Sequence, residues 1–156
     1  MDSTGRKLEC VLAGNKRRCD GKVPTLTIVK VFKNAKKIIF GGFATKTWAG
    51  NDGEARAPGS FLYSLRNNDD LTAFKAPLIN ENDEWAISRY SVDGPTFGGG
   101  ELFIPNNAVS NPNTQADFGT RYQPPHGYTA NQPNTKSLLA GSSDFLPSEV
   151  EVLYLN

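Results

Sequence analysis

Few residues in this sequence could move a proton, hold a metal or attack a carbonyl. The single histidine, His126, sits in the run Pro124-Pro125-His126-Gly127-Tyr128. A serine–histidine–carboxylate set could be assembled around it in space, because triads are spatial constellations. No Gly-x-Ser-x-Gly elbow occurs to present the serine. A histidine alone in a proline- and glycine-rich turn reads better as a surface or packing residue. Zinc would have to draw on Cys10, Cys19 and His126, with no close Cys-x-x-Cys pair to seed a tetrahedral site. Calcium is the softer case. Asn80-Glu81-Asn82-Asp83-Glu84 and Asn67-Asn68-Asp69-Asp70 offer oxygens, yet neither matches the twelve-residue calcium loop with its fixed glycine and terminal glutamate. Asn and Asp also collect in turns because their side chains cap nearby backbone groups. The expectation is a chain with no catalytic residue, no metal and no cofactor.

The segment Asp93-Gly94-Pro95-Thr96-Phe97-Gly98-Gly99-Gly100-Glu101 has the look of a phosphate loop. It lacks the Gly-Lys-Ser/Thr ending, and Glu101-Leu102-Phe103-Ile104 reads as a strand where a phosphate cradle needs a helix N-terminus. Three glycines that permit positive φ and close packing before a buried strand is the better account. Among the aromatics, Trp48 and Trp85 flank turn-rich segments, while Tyr122 and Tyr128 fall in a long irregular stretch. Such rings can stack on sugars, anchor a partner or close the end of a sandwich, and the sequence leaves these open.

The elements that would position these residues are strands. Thr25, Thr27, Val29 and Val31 alternate with Leu26, Ile28, Lys30 and Phe32, a period of two. A turn at Lys33-Asn34-Ala35 returns the chain through Lys36 to Phe40 as a hairpin. Gly41-Gly42 interrupts the run that continues from Phe43 to Trp48, which predicts a bulge or a close backbone approach. Ala49 to Gly59 reads as a loop and Ser60 to Leu65 as a compact buried strand. Further strands are expected at Leu71–Leu78, Trp85–Tyr90, Glu101–Ile104, Ser137–Ala140 and Glu149–Leu155, with Gly, Pro, Asn or Asp in each gap. Pro105 to Lys136 shows little periodicity, and an irregular stretch of that length is often functional. The spacing predicts a mainly β chain, a two-layer antiparallel β-sandwich with one long irregular loop.

Length and composition agree. The 156 residues suit one domain, and Gly (15), Pro (10) and Asn (14) favour corners over helix interiors. Charge is uneven: residues 1–50 carry 11 Lys/Arg against 3 Asp/Glu, and residues 51–156 carry 6 against 13. The simplest reading is two segments that neutralise each other within one fold; the other is a basic surface facing an acidic partner. A net charge of +1 without a nucleic-acid motif gives nucleic-acid binding little support. No apolar run approaches the roughly 20 residues of a transmembrane helix, and Met1 to Lys7 lack the apolar stretch of a secretory signal. Two cysteines and no Asn-x-Ser/Thr acceptor lean toward a reducing, cytoplasmic setting, with a Cys10–Cys19 bridge left as an alternative.

Five blocks, taken in order, are similar to a known family. They are Gly21-Lys22-Val23-Pro24-Thr25-Leu26-Thr27-Ile28-Val29-Lys30; Phe40-Gly41-Gly42-Phe43; Gly59-Ser60-Phe61-Leu62-Tyr63-Ser64-Leu65; Asp93 through Ile104; and Leu139-Ala140-Gly141 with Phe145 and Glu149-Val150-Glu151-Val152. Over roughly residues 19–155 the chain resembles a TLDc domain. It departs from the family in residues 1–18, where a longer helical stretch is usual before the Cys-Asp pair that Cys19-Asp20 resembles, and in the loop from Asn106 to Arg121. The resemblance implies a sandwich of two antiparallel sheets with one or two short helices. It also implies a non-catalytic role in protein binding, linked to oxidation resistance and to association with the V-type proton ATPase, peripheral to membranes through that partner. The shared pattern nominates Asp93, Glu101 and Glu151 as binding residues, with Gly98, Gly99 and Gly100 shaping their loop. Each has a structural alternative: Asp93 as a turn cap, Glu101 and Glu151 as strand-pairing charges.

Overall fold

The computed structural model describes residues 19–154. The divergent N-terminal part, with Cys10 and the apolar patch from Leu8 to Ala13, lies outside the described residues, as does Leu155. Two antiparallel sheets face each other across one apolar core. The larger has the order β5-β4-β2-β1-β9, built from β1 (Thr25–Lys33), β2 (Lys36–Ala44), β4 (Phe61–Arg66), β5 (Phe74–Pro77) and β9 (Glu149–Tyr154). The smaller has the order β3-β6-β7-β8, from β3 (Glu54–Ala55), β6 (Ile87–Ser88), β7 (Asp93–Phe97) and β8 (Leu102–Pro105). This is the two-layer sandwich expected.

The β1–β2 hairpin follows from its alternation. Thr25, Thr27, Val29 and Val31 are buried, as are Ile38, Phe40 and Ala44 facing them across the pairing Val29↔Phe40. The turn has two residues, Asn34 and Ala35, at φ of 51° and 62° between the paired Lys33 and Lys36. That geometry matches the right-handed twist of the flanking strands, and asparagine tolerates it well. Gly41 and Gly42 mark close approaches on both faces. A Cβ on Gly42 would lie 2.5 Å from the Phe97 ring of the opposite sheet. On the other side a Cβ on Gly41 would meet the Thr27 carbonyl and the Tyr63 hydroxyl, which donates to that carbonyl at 2.8 Å. The ladder irregularity itself falls earlier, between Ile39 and Phe40.

Phe97 is the contact through which the two sheets meet. Its ring packs edge-on to Trp48 at 5.3 Å and to Tyr122 at 6.3 Å, all three buried. Burying each such side chain is worth about 1.5–3 kcal/mol. The polar tips are satisfied: Trp48 Nε1 donates to Thr25 Oγ1 at 3.0 Å, and the Tyr122 hydroxyl to the Ala86 carbonyl at 2.7 Å.

Three expectations need correction. Asp93–Phe97, read from its glycine and proline as part of a loop, is strand β7; Pro95 falls where the register shifts between Asp93 and Thr96, so no regular ladder bond asks for its missing N–H. Ser137–Ala140, read as a strand, is a turn after the short helix α1 (Pro133–Lys136), with Leu138, Leu139 and Ala140 packed in the core. The loop at residues 49–59 contains β3.

The long irregular stretch is a strap across the sandwich. After a turn of 3-10 helix at Ala108–Ser110, Gln115 exchanges both backbone bonds with Phe103 of β8, at 2.8 and 3.1 Å. Further along, Arg121 accepts from Ile79 and Gln123 donates to Pro77, each at 2.8 Å. Ala116, Phe118 and Tyr122 point into the core between these anchor points.

Candidate functional site

The β7–β8 hairpin turns through Gly98, Gly99 and Gly100, at φ of 64°, 68° and 123°, a conformation that side chains rarely adopt. A Cβ on Gly98 would fall on the Glu101 carboxylate, and one on Gly99 would stand 3.2 Å from the Trp85 ring. The turn therefore delivers Glu101 inward beneath it. Glu101 is 2% exposed, although isolated buried carboxylates are costly.

Its partners explain how it is held. Backbone N–H groups of Gly119, Thr120, Arg121 and Tyr122, all in the strap, donate to the Glu101 carboxylate; the Gly119 bond is 2.6 Å and those of Arg121 and Tyr122 are 3.1 Å. Burial raises the carboxyl pKa above its ordinary value, while these four donors pull it down. Both oxygens are engaged, so Glu101 clamps the strap to the hairpin. Chemically it is an acceptor for backbone amides, with its lone pairs directed at the strap.

Above the clamp lies a polar cleft of about 340 Å³, bordered by Gly98–Gly100, Trp85, Gln115, Asp117 and Arg121. Arg121 Nη1 reaches both oxygens of Asp83 at 2.9 and 3.0 Å, and its guanidinium lies 5.4 Å from the centre of the Trp85 ring. Trp85 is 47% exposed. The Arg121–Asp83–Trp85 group was not singled out by sequence spacing, since 38 positions separate the ion pair. The available hint was a tryptophan beside an acidic turn.

The nominated residues do not converge. Asp93 opens β7, opposite Pro105, at the far end of the hairpin from the glycine turn, and its N–H donates to the Tyr90 carbonyl at 3.1 Å. Glu151 belongs to the other sheet, opposite Ile28 on β9. Gly98–Gly100 and Glu101 form one unit; Asp93 and Glu151 stand apart from it and from each other.

Other sequence candidates take structural places. Trp48 and Tyr122 are core residues, and the Tyr128 hydroxyl donates to Asp69 at 2.6 Å. His126 is exposed in its turn. The Asn67 side-chain oxygen caps the N–H groups of Asp69 and Leu71, at 3.1 and 2.9 Å, and Asp70 pairs with Lys36. Among the described residues, no group of three or more His, Cys, Asp or Glu side chains is arranged to hold a metal. Cys19 is fully buried and disulfide-bonded, and Cys10 lies outside the described residues. No helix among the described residues is long and apolar enough to cross a membrane.

No curated protein matches the chain. The family model for the TLDc domain matches residues 16–156, taking in both sheets, the glycine turn with Glu101, and the strap. With nearly the whole sequence matched and the sandwich in place, the chain belongs to the TLDc domain family.

Proposed function

We propose that this chain is a non-catalytic protein-interaction domain that associates with subunits of the V-type proton ATPase and contributes to protection against oxidative stress. The observation that carries the reading is Glu101. The buried carboxylate best suited by environment to proton chemistry has both oxygens bonded to the strap's backbone. Family membership supports the partner, and a partner of this kind would keep the chain at the cytoplasmic face of a membrane. The mechanism is differential binding: a domain that prefers one assembly state of a machine shifts its population toward that state.

The test is an affinity capture of the tagged chain from its own cell lysate, with the retained proteins identified by mass spectrometry. The reading expects V-type ATPase subunits, lost in an Asp93→Asn or Glu151→Gln variant whose melting temperature is unchanged. A capture without those subunits at low and moderate salt overturns it.

A second reading, a sandwich that recognises a glycan, has one observation in its favour. Trp85 offers a half-exposed ring beside the polar cleft, and aromatic faces stack on sugars. A thermal shift of several degrees with a sugar panel, absent in Trp85→Ala, would favour it, since binding to the native state stabilises by mass action. For the calcium form of the same reading, the same shift assay with calcium applies.

A further inference from the structure

The outer face of the five-stranded sheet has an apolar centre where a sandwich sheet usually turns polar, with Lys30, Lys37 and Glu149 beyond it toward the β1–β2 turn. Leu26, Ile28, Phe61, Tyr63 and Leu65 line an open trough of about 440 Å³ there, and Leu65 and Phe32 are 53% and 64% exposed. Phe43 and Phe61 stack in the same face at 5.0 Å, with the Lys75 ammonium 4.1 Å from the centre of the Phe61 ring.

One cross-strand row decides what fits it. The pairings place Glu151, Ile28, Gly41, Tyr63 and Lys75 side by side across β9, β1, β2, β4 and β5. The row is acidic at one end, basic at the other, and centred on Gly41 of the middle strand. The neighbouring row runs Leu153, Leu26, Phe43, Phe61, Pro77, apolar throughout. We propose that this face docks a second copy of the chain, related by a two-fold axis running along β2. That operation lays Glu151 of each copy over Lys75 of the other, Ile28 over Tyr63, and Phe43 over itself. A two-fold axis across the strands would instead stack acidic edge on acidic edge. The usual angle of about 30° between packed sheets shifts the row ends by only about 5 Å, within reach of a lysine side chain.

The strength follows from area. At about 3.3 Å per residue and 4.8 Å between strands, the five strands present about 500 Å² of sheet. Standard stable interfaces bury about 800 Å² on each partner, so the dimer is weak, with Kd roughly tens to hundreds of micromolar.

Sedimentation velocity of the full 156-residue chain, from about 10 µM to about 1 mM, brackets such an affinity. A concentration-dependent dimer is expected. Lys75→Glu and Glu151→Lys should each weaken it about tenfold, and the double exchange should restore it to within about threefold. Ile28→Glu should abolish it, with thermal unfolding confirming that each variant folds. A chain that stays monomeric overturns the proposal, and so does a dimer indifferent to the single reversals or not rescued by the double. If the monomer's trough is then protected from hydrogen exchange by V-type ATPase subunits, the face belongs to that partner. The Asp93 variant tests the partner reading from the other sheet, so the two ideas fail separately.

Discussion

The two sheets of this molecule are held by different means. The five-stranded sheet rests on long ladders: nine consecutive pairs join β1 to β2, and inward Val29, Val31, Ile38 and Phe40 add apolar area. The four-stranded sheet has two-residue members and a register shift, and its free edge is completed by a loop. Beside its buried Ile87, Phe97, Leu102 and Ile104, it is tied to the strap by a few polar contacts, with Glu101 foremost. Stability spread over many small contacts tolerates single losses, whereas stability focused on a buried charge does not.

That contrast predicts a ranking of effects. Glu101→Gln should be the most damaging, because an amide presents its own N–H₂ toward backbone donors. Each buried N–H left without its acceptor costs about 1–3 kcal/mol, and four donors share this carboxylate; the loss is read as a lower denaturant midpoint. Gly42→Ala should follow at about 1–3 kcal/mol, since the new methyl meets Phe97 from the opposite sheet. Tyr122→Phe removes one buried hydroxyl while the Ala86 carbonyl keeps the Gly98 N–H at 3.0 Å, so the loss is about 0.5–1.5 kcal/mol by the same measurement.

The smallest effect lies at the rim of the larger sheet. Lys30 Nζ bonds Glu149 at 2.8 Å, and that hydrogen bond holds the Glu149 carboxyl below its ordinary value. A depressed carboxylate pKa contributes stability above the unfolded-state pKa, and the contribution is lost as pH falls through the folded one. Glu149 is exposed, so the effect is slight. Melting curves of the native chain and Glu149→Gln should differ a little at pH 7 and converge under acid conditions.

The same contrast governs what could be read from sequence. β1 announces itself because a sheet with one face in the core writes period two into the chain, β2 follows as its hairpin return, and β4 and β9 are legible as apolar runs bounded by turn residues. β3 and β6 are two residues each, too short for any period. β7 was hidden by Gly94 and Pro95, residues that ordinarily mark loops and here sit at a ladder irregularity. Ser137–Ala140 misled in the opposite direction: a short apolar run is compatible with a strand or with any buried segment, and Leu138 and Leu139 are buried from a turn.

The candidate site divides the same way. That the glycines before Glu101 shape a turn was legible, because three in succession are rarely anything else. That Glu101 clamps a strap was not, because its donors lie 18 to 21 positions on, in a segment without periodicity, and they are backbone amides that any residue supplies. The separation of Asp93 from Glu151 depends on which sheet each strand joins, which local pattern does not encode.

Hydrogen exchange resolved at single amides tests the central claim, that Glu101 is architecture. The amides of Gly119, Thr120, Arg121 and Tyr122 should exchange slowly in the native chain. In Glu101→Gln, under conditions where the β1–β2 ladder stays protected, those four should exchange freely. Four amides that exchange in the native chain as fast as an open turn would contradict the account and return Glu101 to the set of groups available for binding.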